Sequence, residues 1–193
     1  MTALAVVAAI IVADQVTKAL IVKYLELGEA SGFIPHVIRF YRTENTGAAF
    51  SMLKDSPEIF IILSSLAMCA IVVILYREYR RHPLLTLSLS MVLGGGIGNM
   101  IDRIRLGYVV DFLDFEFFDF AVFNVADSFI TVGTVMLAVY LLFFEPKIEK
   151  RQKAEQEAAS EEVAVVIAAD GEPVDVFSAP QDGDKEDKEK EDE

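Results

Sequence analysis

Four blocks of apolar sequence, at about residues 3–22, 57–76, 84–102 and 121–144, limit what this chain can become. Each is about 20 residues long, the length a helix needs to cross roughly 30 Å of hydrocarbon. Backbone groups in lipid must satisfy one another, so each block is expected to be a transmembrane helix. Composition agrees, because 53% of the 193 residues are hydrophobic and they gather into these blocks instead of spreading through one soluble core. The first block has no basic stretch ahead of it and carries Asp14 and Lys18, where a cleavable leader has a clean apolar core. It reads as a retained span.

The formal net charge of −13 is unevenly placed. Residues 1–144 carry 10 Lys+Arg against 13 Asp+Glu, or −3, and residues 145–193 carry 7 against 17, or −10. The expected organisation is therefore a membrane domain over 1–148 and an acidic cytoplasmic tail over 149–193. From about 152 that tail has too few apolar residues to build a core, so disorder is expected. Basic residues of short loops mark the cytoplasmic side. Arg77, Arg80 and Arg81 lie between blocks two and three, and Lys147, Lys150, Arg151 and Lys153 follow block four. Both termini are then inside, with outer loops over about 23–56 and 103–120. Cys69 is the one cysteine, which excludes an internal disulfide and a cysteine-rich metal site, and it reads as a packing residue.

The outer loops carry pattern of their own. Residues 33–53 mix β-branched and aromatic residues around an ENTG turn signal, which predicts short strands about that turn. FLDFEFFDF, 112–120, interleaves five phenylalanines with Asp114, Glu116 and Asp119, suiting a strip at the water–lipid boundary.

Polar residues inside spans cost at least about 2.5–3.5 kcal/mol when charged, so they face protein or water and often mark function. Asp14 and Lys18 share a face of span one. Ser88, Gly95, Asn99 and Asp102 share one on span three, with Arg103 a position on. Asn124, Asp127, Thr131 and Thr134 do the same on span four, while span two has no such stripe and reads as scaffold. The Gly94–Gly98 spacing in GGGIG permits close helix packing. It lacks the preceding strand and following soluble helix of a nucleotide loop.

Asp127 lies two turns into span four and Asp111 lies sixteen residues earlier, in the outer loop. If the chain folds back at 112–120, the two carboxylates meet at the outer rim. Two close carboxylates share a proton, leaving one acid and one base able to activate water and protonate a leaving amine. Other hydrolytic schemes lack residues. His36 and His82, the only histidines, fall on opposite sides, which removes a zinc site, and no serine nucleophile motif stands beside His36, the one outer histidine, to make a Ser–His–Asp triad. A Lys18–Ser51 pair competes with Asp14 for the lysine. Two other function classes fit part of the pattern. A small proton-coupled transporter would use Asp14, Lys18 and Asp127 as a relay, but VMLAVYLLFF in the inner half of span four has no polar residue to continue it. A noncatalytic assembly factor would use the carboxylates only to pair Arg103 and Lys18.

NTGAAFS (45–51), GNMIDRIRLGYVVDF (98–112), FNVADSFI (123–130) and DQVTK (14–18) together resemble the signature blocks of signal peptidase II, the lipoprotein signal peptidase family, in order and over about residues 1–146. The resemblance implies four transmembrane helices and a small extracytoplasmic β-structured platform. It implies an aspartic endopeptidase of the bacterial cytoplasmic (inner) membrane, active at the extracytoplasmic face. Its substrates would be diacylglyceryl-modified prolipoproteins, cut on the amino side of the lipidated cysteine. Asp111 and Asp127 would be the catalytic pair. Asn45, Gly47, Asn99, Arg103, Asn124 and Ala126 would line or support the site, and Asp14, Lys18 and Asp102 would hold the fold or touch substrate. No cofactor, metal or nucleic acid is expected. The expected partners are the prolipoprotein signal peptide, membrane lipid and globomycin-type inhibitors, with the chain acting as a monomer.

Overall fold

A computed structural model describes residues 2–47, 57–78 and 81–169. In chain order it contains α1 (Thr2–Tyr24), β1 (Ala30–Ile34), β2 (Ile38–Asn45), α2 (Pro57–Glu78), α3 (Pro83–Leu106), β3 (Val109–Phe115), α4 (Val125–Val139), one π-helical turn (Tyr140–Phe144) and α5 (Glu145–Ala169). Among the described residues four helical stretches are long and apolar enough to cross a membrane, beginning at Ala3, Ile61, Pro83 and Val125. These match the four blocks of the sequence.

The chain divides into two compact units, Met1–Glu145 and Pro146–Glu193. In the second unit the described part of the expected disordered tail is instead helical, as far as Ala169. Ala, Glu, Lys and Gln dominate there and are strong helix formers. Arg151 Nε also meets Glu155 Oε1 at 3.0 Å one turn on. Residues 170–193 of that tail lie outside the described residues.

In the first unit α3 packs against α1, α2 and α4. Its most apolar window is 56% buried, against 6% for α2, which fits the reading of α2 as scaffold. Cys69 lies on α2 and is exposed, not packed, because α2 gives little of its circumference to protein. The GGGIG segment explains the closeness of α3 to its neighbours. A Cβ on Gly94 would stand 3.0 Å from Ile10 Cβ, and one on Gly98 would stand 2.6 Å from Asp14 Oδ2, both on α1. A Cβ on Gly95 would overlap the Ala126 carbonyl oxygen of α4. His82 starts α3 by accepting from Leu84 N at 3.2 Å, with Pro83 in the first turn. Gly107, at φ +82°, ends it in the left-handed conformation and donates its N–H to Arg103 O at 3.1 Å.

On α4 the expected polar stripe does not continue inward. Thr131 and Thr134 are exposed, and Thr134 Oγ1 donates to Ile130 O at 2.7 Å within its own helix, which removes the penalty of facing lipid. Gly133 is the residue that meets α3, where a Cβ would lie 2.8 Å from Ser88 O.

The sheet is antiparallel in the order β1-β2-β3. Its hairpin turn falls at 35–37 and not at ENTG. Pro35 fixes one turn position, His36 takes φ +61°, and Val37 N donates to Ile34 O at 3.0 Å. ENTG instead spans the end of β2, which stops at Asn45, and residues 48–53 of the expected strand region lie outside the described residues. β3 occupies sequence expected to be loop. It is held by register pairing with β2 and by the Arg39–Asp114 ion pair at 2.7 Å across the strands. Beyond β3 the chain folds back. Phe123 O accepts from Phe112 N and Leu113 N at 3.0 and 2.7 Å, and Phe123 N donates to Leu113 O at 3.0 Å. Phe117, Phe118 and Phe120 of the intervening loop are exposed around Phe115.

Candidate active site

The return of the chain at Phe123 delivers the start of α4 to the side of β3. Asn124 is the N-cap of α4, and Asp127 occupies the third helical position in a reciprocal capping box. Asp127 N donates to Asn124 Oδ1 at 2.9 Å, and Asn124 N donates to Asp127 Oδ2 at 3.2 Å. A carboxylate in the first turn also faces the favourable end of the helix dipole. That is the local reason the chain tolerates an acid two turns into an apolar run.

Asn124 reaches Asp111 as well. Its Nδ2 donates to Asp111 Oδ1 at 2.7 Å, so one asparagine binds one carboxylate through its backbone and the other through its side chain. Asn45, at the end of β2, donates from Nδ2 to Asp111 Oδ2 at 2.9 Å, and its Oδ1 accepts from Gly47 N at 3.0 Å. Asn99, on α3, donates from Nδ2 to Asp127 Oδ1 at 2.7 Å. Asp111 is 2% exposed. Burial pushes its carboxyl up to about 6, with the Asp127 charge adding to the rise, while the Asn45 and Asn124 amides pull it down.

A second layer lies behind these groups. Lys18 Nζ stands 2.9 Å from each of Asp14 Oδ2, Asp102 Oδ2 and Asn99 Oδ1, which uses all three of its protons. Asp14 Oδ1 accepts from Ala126 N at 3.0 Å, tying α1 to the first turn of α4. Asp102 Oδ2 accepts from Val110 N at 3.2 Å, tying α3 to the strand that carries Asp111. Asp14, Lys18 and Asp102 therefore lie behind Asn99, the first turn of α4 and the strand that carries Asp111. Arg103 is half-buried and places its positive charge near Asp127, Asp111 and Asp102. The fold brings all eleven residues singled out from the sequence to one end of the bundle. Sequence reasoning missed Gln15, whose Nε2 bridges Asp14 Oδ2 at 3.2 Å, Gly98 O at 3.2 Å and Asp102 Oδ1 at 2.9 Å. Its place inside DQVTK was the available signal. Among the described residues no cluster of His, Cys, Asp and Glu is arranged to hold a metal ion.

The fold and site define a polytopic membrane protein with two carboxylates held by amides at one end of a four-span bundle. The family model for signal peptidase II matches residues 6–143. The chain belongs to that family. It is 46% identical over 138 residues to a lipoprotein signal peptidase of Brevibacillus brevis, covering 70% of this chain and 93% of the relative. With the lipoprotein signal peptidase of Streptococcus agalactiae serotype Ia it shares 39% identity over 132 residues, or 68% and 86% of the two chains. Two solved structures described as a bacterial membrane enzyme, determined by the in meso method, each superimpose with a TM-score of 0.70. They are 31% and 30% identical to this chain, and the matches cover 73% and 74% of it and 87% and 94% of the solved chains.

Proposed function

We propose that this chain is an intramembrane aspartic endopeptidase that removes the signal peptide of diacylglyceryl-modified prolipoproteins, cutting on the amino side of the lipidated cysteine. The pair holds one proton between them in the reacting complex, with Asp111 acting as the acid and Asp127 as the base. Asp127 takes a proton from water as the hydroxyl adds to the scissile carbonyl carbon, and Asp111 protonates the carbonyl oxygen. The C–N bond then breaks. The leaving amine takes the proton from Asp127 while a hydroxyl of the adduct returns one to Asp111, so both groups end as they began. Asn45, Asn99 and Asn124 hold the carboxylates in register, and Arg103 balances the charge that develops. The observation that carries this reading is the double grip of Asn124 on both carboxylates.

The basic loops support a topology with both termini in the cytoplasm and the carboxylates at the extracytoplasmic face of the inner membrane. There a substrate arriving through lipid meets water. The protein acts as a monomer without a cofactor and is blocked by globomycin-type inhibitors. The test is cleavage of a synthetic lipobox peptide by purified protein in detergent. A product whose new N-terminus is the diacylglyceryl cysteine, lost on adding globomycin, is expected. Equal cleavage of the unlipidated peptide, or none of either, refutes the reading.

A further inference from the structure

β3 has two faces, and only one serves the carboxylates. Asp111 points to Asn45 and Asn124, while its neighbour Phe112 is buried against Ile21 of α1 and Leu25 just beyond it. Behind Phe112 lies an open, mainly apolar groove of about 340 Å³, walled by Leu20, Ile21 and Tyr24 of α1, by Leu25 just beyond it, and by Phe40 and Phe112 of the sheet. It runs from Thr17 to Tyr24, about 10 Å along the last two turns of a membrane span. Leu20 and Tyr24 are exposed on its rim, so the groove is continuous with the lipid-facing surface of α1.

At the end of that helix a second opening shares Tyr24 and Leu25 with the groove. It is lined by Lys23 and Arg42 together with Glu26 and Glu29, two cations beside two anions. Arg42 Nη1 is engaged by the Val22 and Leu25 carbonyls and its Nη2 faces Glu44 Oε1 at 3.8 Å, while its buried Nε–H has no acceptor. An apolar channel running into the membrane, capped at the helix end by paired opposite charges, has the form of a phospholipid.

We propose that this paired site binds one zwitterionic aminophospholipid of the bilayer. One acyl chain lies along the groove, its phosphate meets Lys23 and Arg42, and its ammonium meets Glu26 and Glu29. The bound chain packs the back of the strand that carries Asp111. The site needs the membrane embedding but not the peptidase chemistry.

The experiment uses full-length protein in nanodiscs containing phosphatidylethanolamine or phosphatidylglycerol with a photoactivatable acyl chain. Crosslinks are mapped by mass spectrometry. Labelling concentrated on residues 17–25 and 40, stronger with phosphatidylethanolamine, is expected. Ser31→Trp, which fills the groove, and Lys23→Ala should each weaken it roughly tenfold. Asp127→Asn protein should label like wild type, so a failed peptidase reading would leave this result standing. Label spread evenly over the lipid-facing helices and indifferent to Ser31→Trp overturns the proposal. So does equal labelling by phosphatidylglycerol, or displacement by excess diacylated substrate peptide, which would give the groove to the substrate.

Discussion

Replacing Lys18 with methionine should cost this protein more than any other single change outside the carboxylate pair. Lys18 is 3% exposed and its ammonium contacts Asp14, Asp102 and Asn99, each at 2.9 Å. Methionine fills the space but leaves two buried carboxylates with no cation between them. Removing one partner of a buried ion pair costs about 3–5 kcal/mol, chiefly through the charge left behind. Against a total stability of about 5–15 kcal/mol, that is a large fraction. At roughly 2–4 °C per kcal/mol for a chain of this size, the melting temperature should fall by about 6–20 °C. Asp102→Asn should cost far less, about 1–2 kcal/mol, because Lys18 and Asp14 remain matched. The assay is thermal unfolding of the detergent-solubilised protein, followed by circular dichroism. A drop below about 2 °C for Lys18→Met, or a larger drop for Asp102→Asn, refutes the reasoning.

Three further outcomes follow from other contacts. Asn45→Ala removes an amide that favours the ionised form of Asp111. The Asp111 carboxyl should then titrate higher still, and the alkaline limb of kcat/KM should move to higher pH. Gly95→Ala should lower stability by about 1–3 kcal/mol, read by unfolding, since its Cβ would overlap the Ala126 carbonyl oxygen. Asp111 binds its proton more tightly folded, at about 6, than its ordinary 3.8. Folded protein then holds more protons than unfolded between those values, so stability falls as pH rises through that window, by up to about 3 kcal/mol. Asp111→Asn should lack this slope and gain on wild type between pH 4 and 6.5.

Much of this was legible because lipid makes sequence explicit. A span must be long, apolar and helical, so the four blocks appear as helices with edges moved by a few residues. The polar face of α3 was equally readable, since Ser88, Asn99 and Asp102 had nowhere to go but inward, and all are buried. The same logic failed on α4. A threonine can bond its own helix and face lipid, so Thr131 and Thr134 carried no information about packing, and Gly133 decided it. The sheet was harder. ENTG is a strong turn signal, yet the hairpin turns at Pro35–Val37, where His36 adopts a left-handed conformation that its residue type does not announce. β3 depends on pairing with a strand more than sixty residues away, which no local pattern encodes. The meeting of Asp111 with Asp127 rested on the expected fold-back, and the Phe123 hydrogen bonds that make it are backbone bonds, silent in sequence. Cys69 and the start of the tail were misjudged for opposite reasons. An apolar neighbourhood in a membrane helix does not imply burial, and a charged composition does not preclude helix.

The central claim is that Asp111 and Asp127 together activate water. Single-turnover cleavage of a diacylglyceryl lipobox peptide by Asp111→Asn and Asp127→Asn proteins, each shown to be folded and inserted, tests it most directly. The account predicts that each variant loses at least about a thousandfold in rate while still binding the peptide. Retention of more than a tenth of the wild-type rate by either one would contradict it.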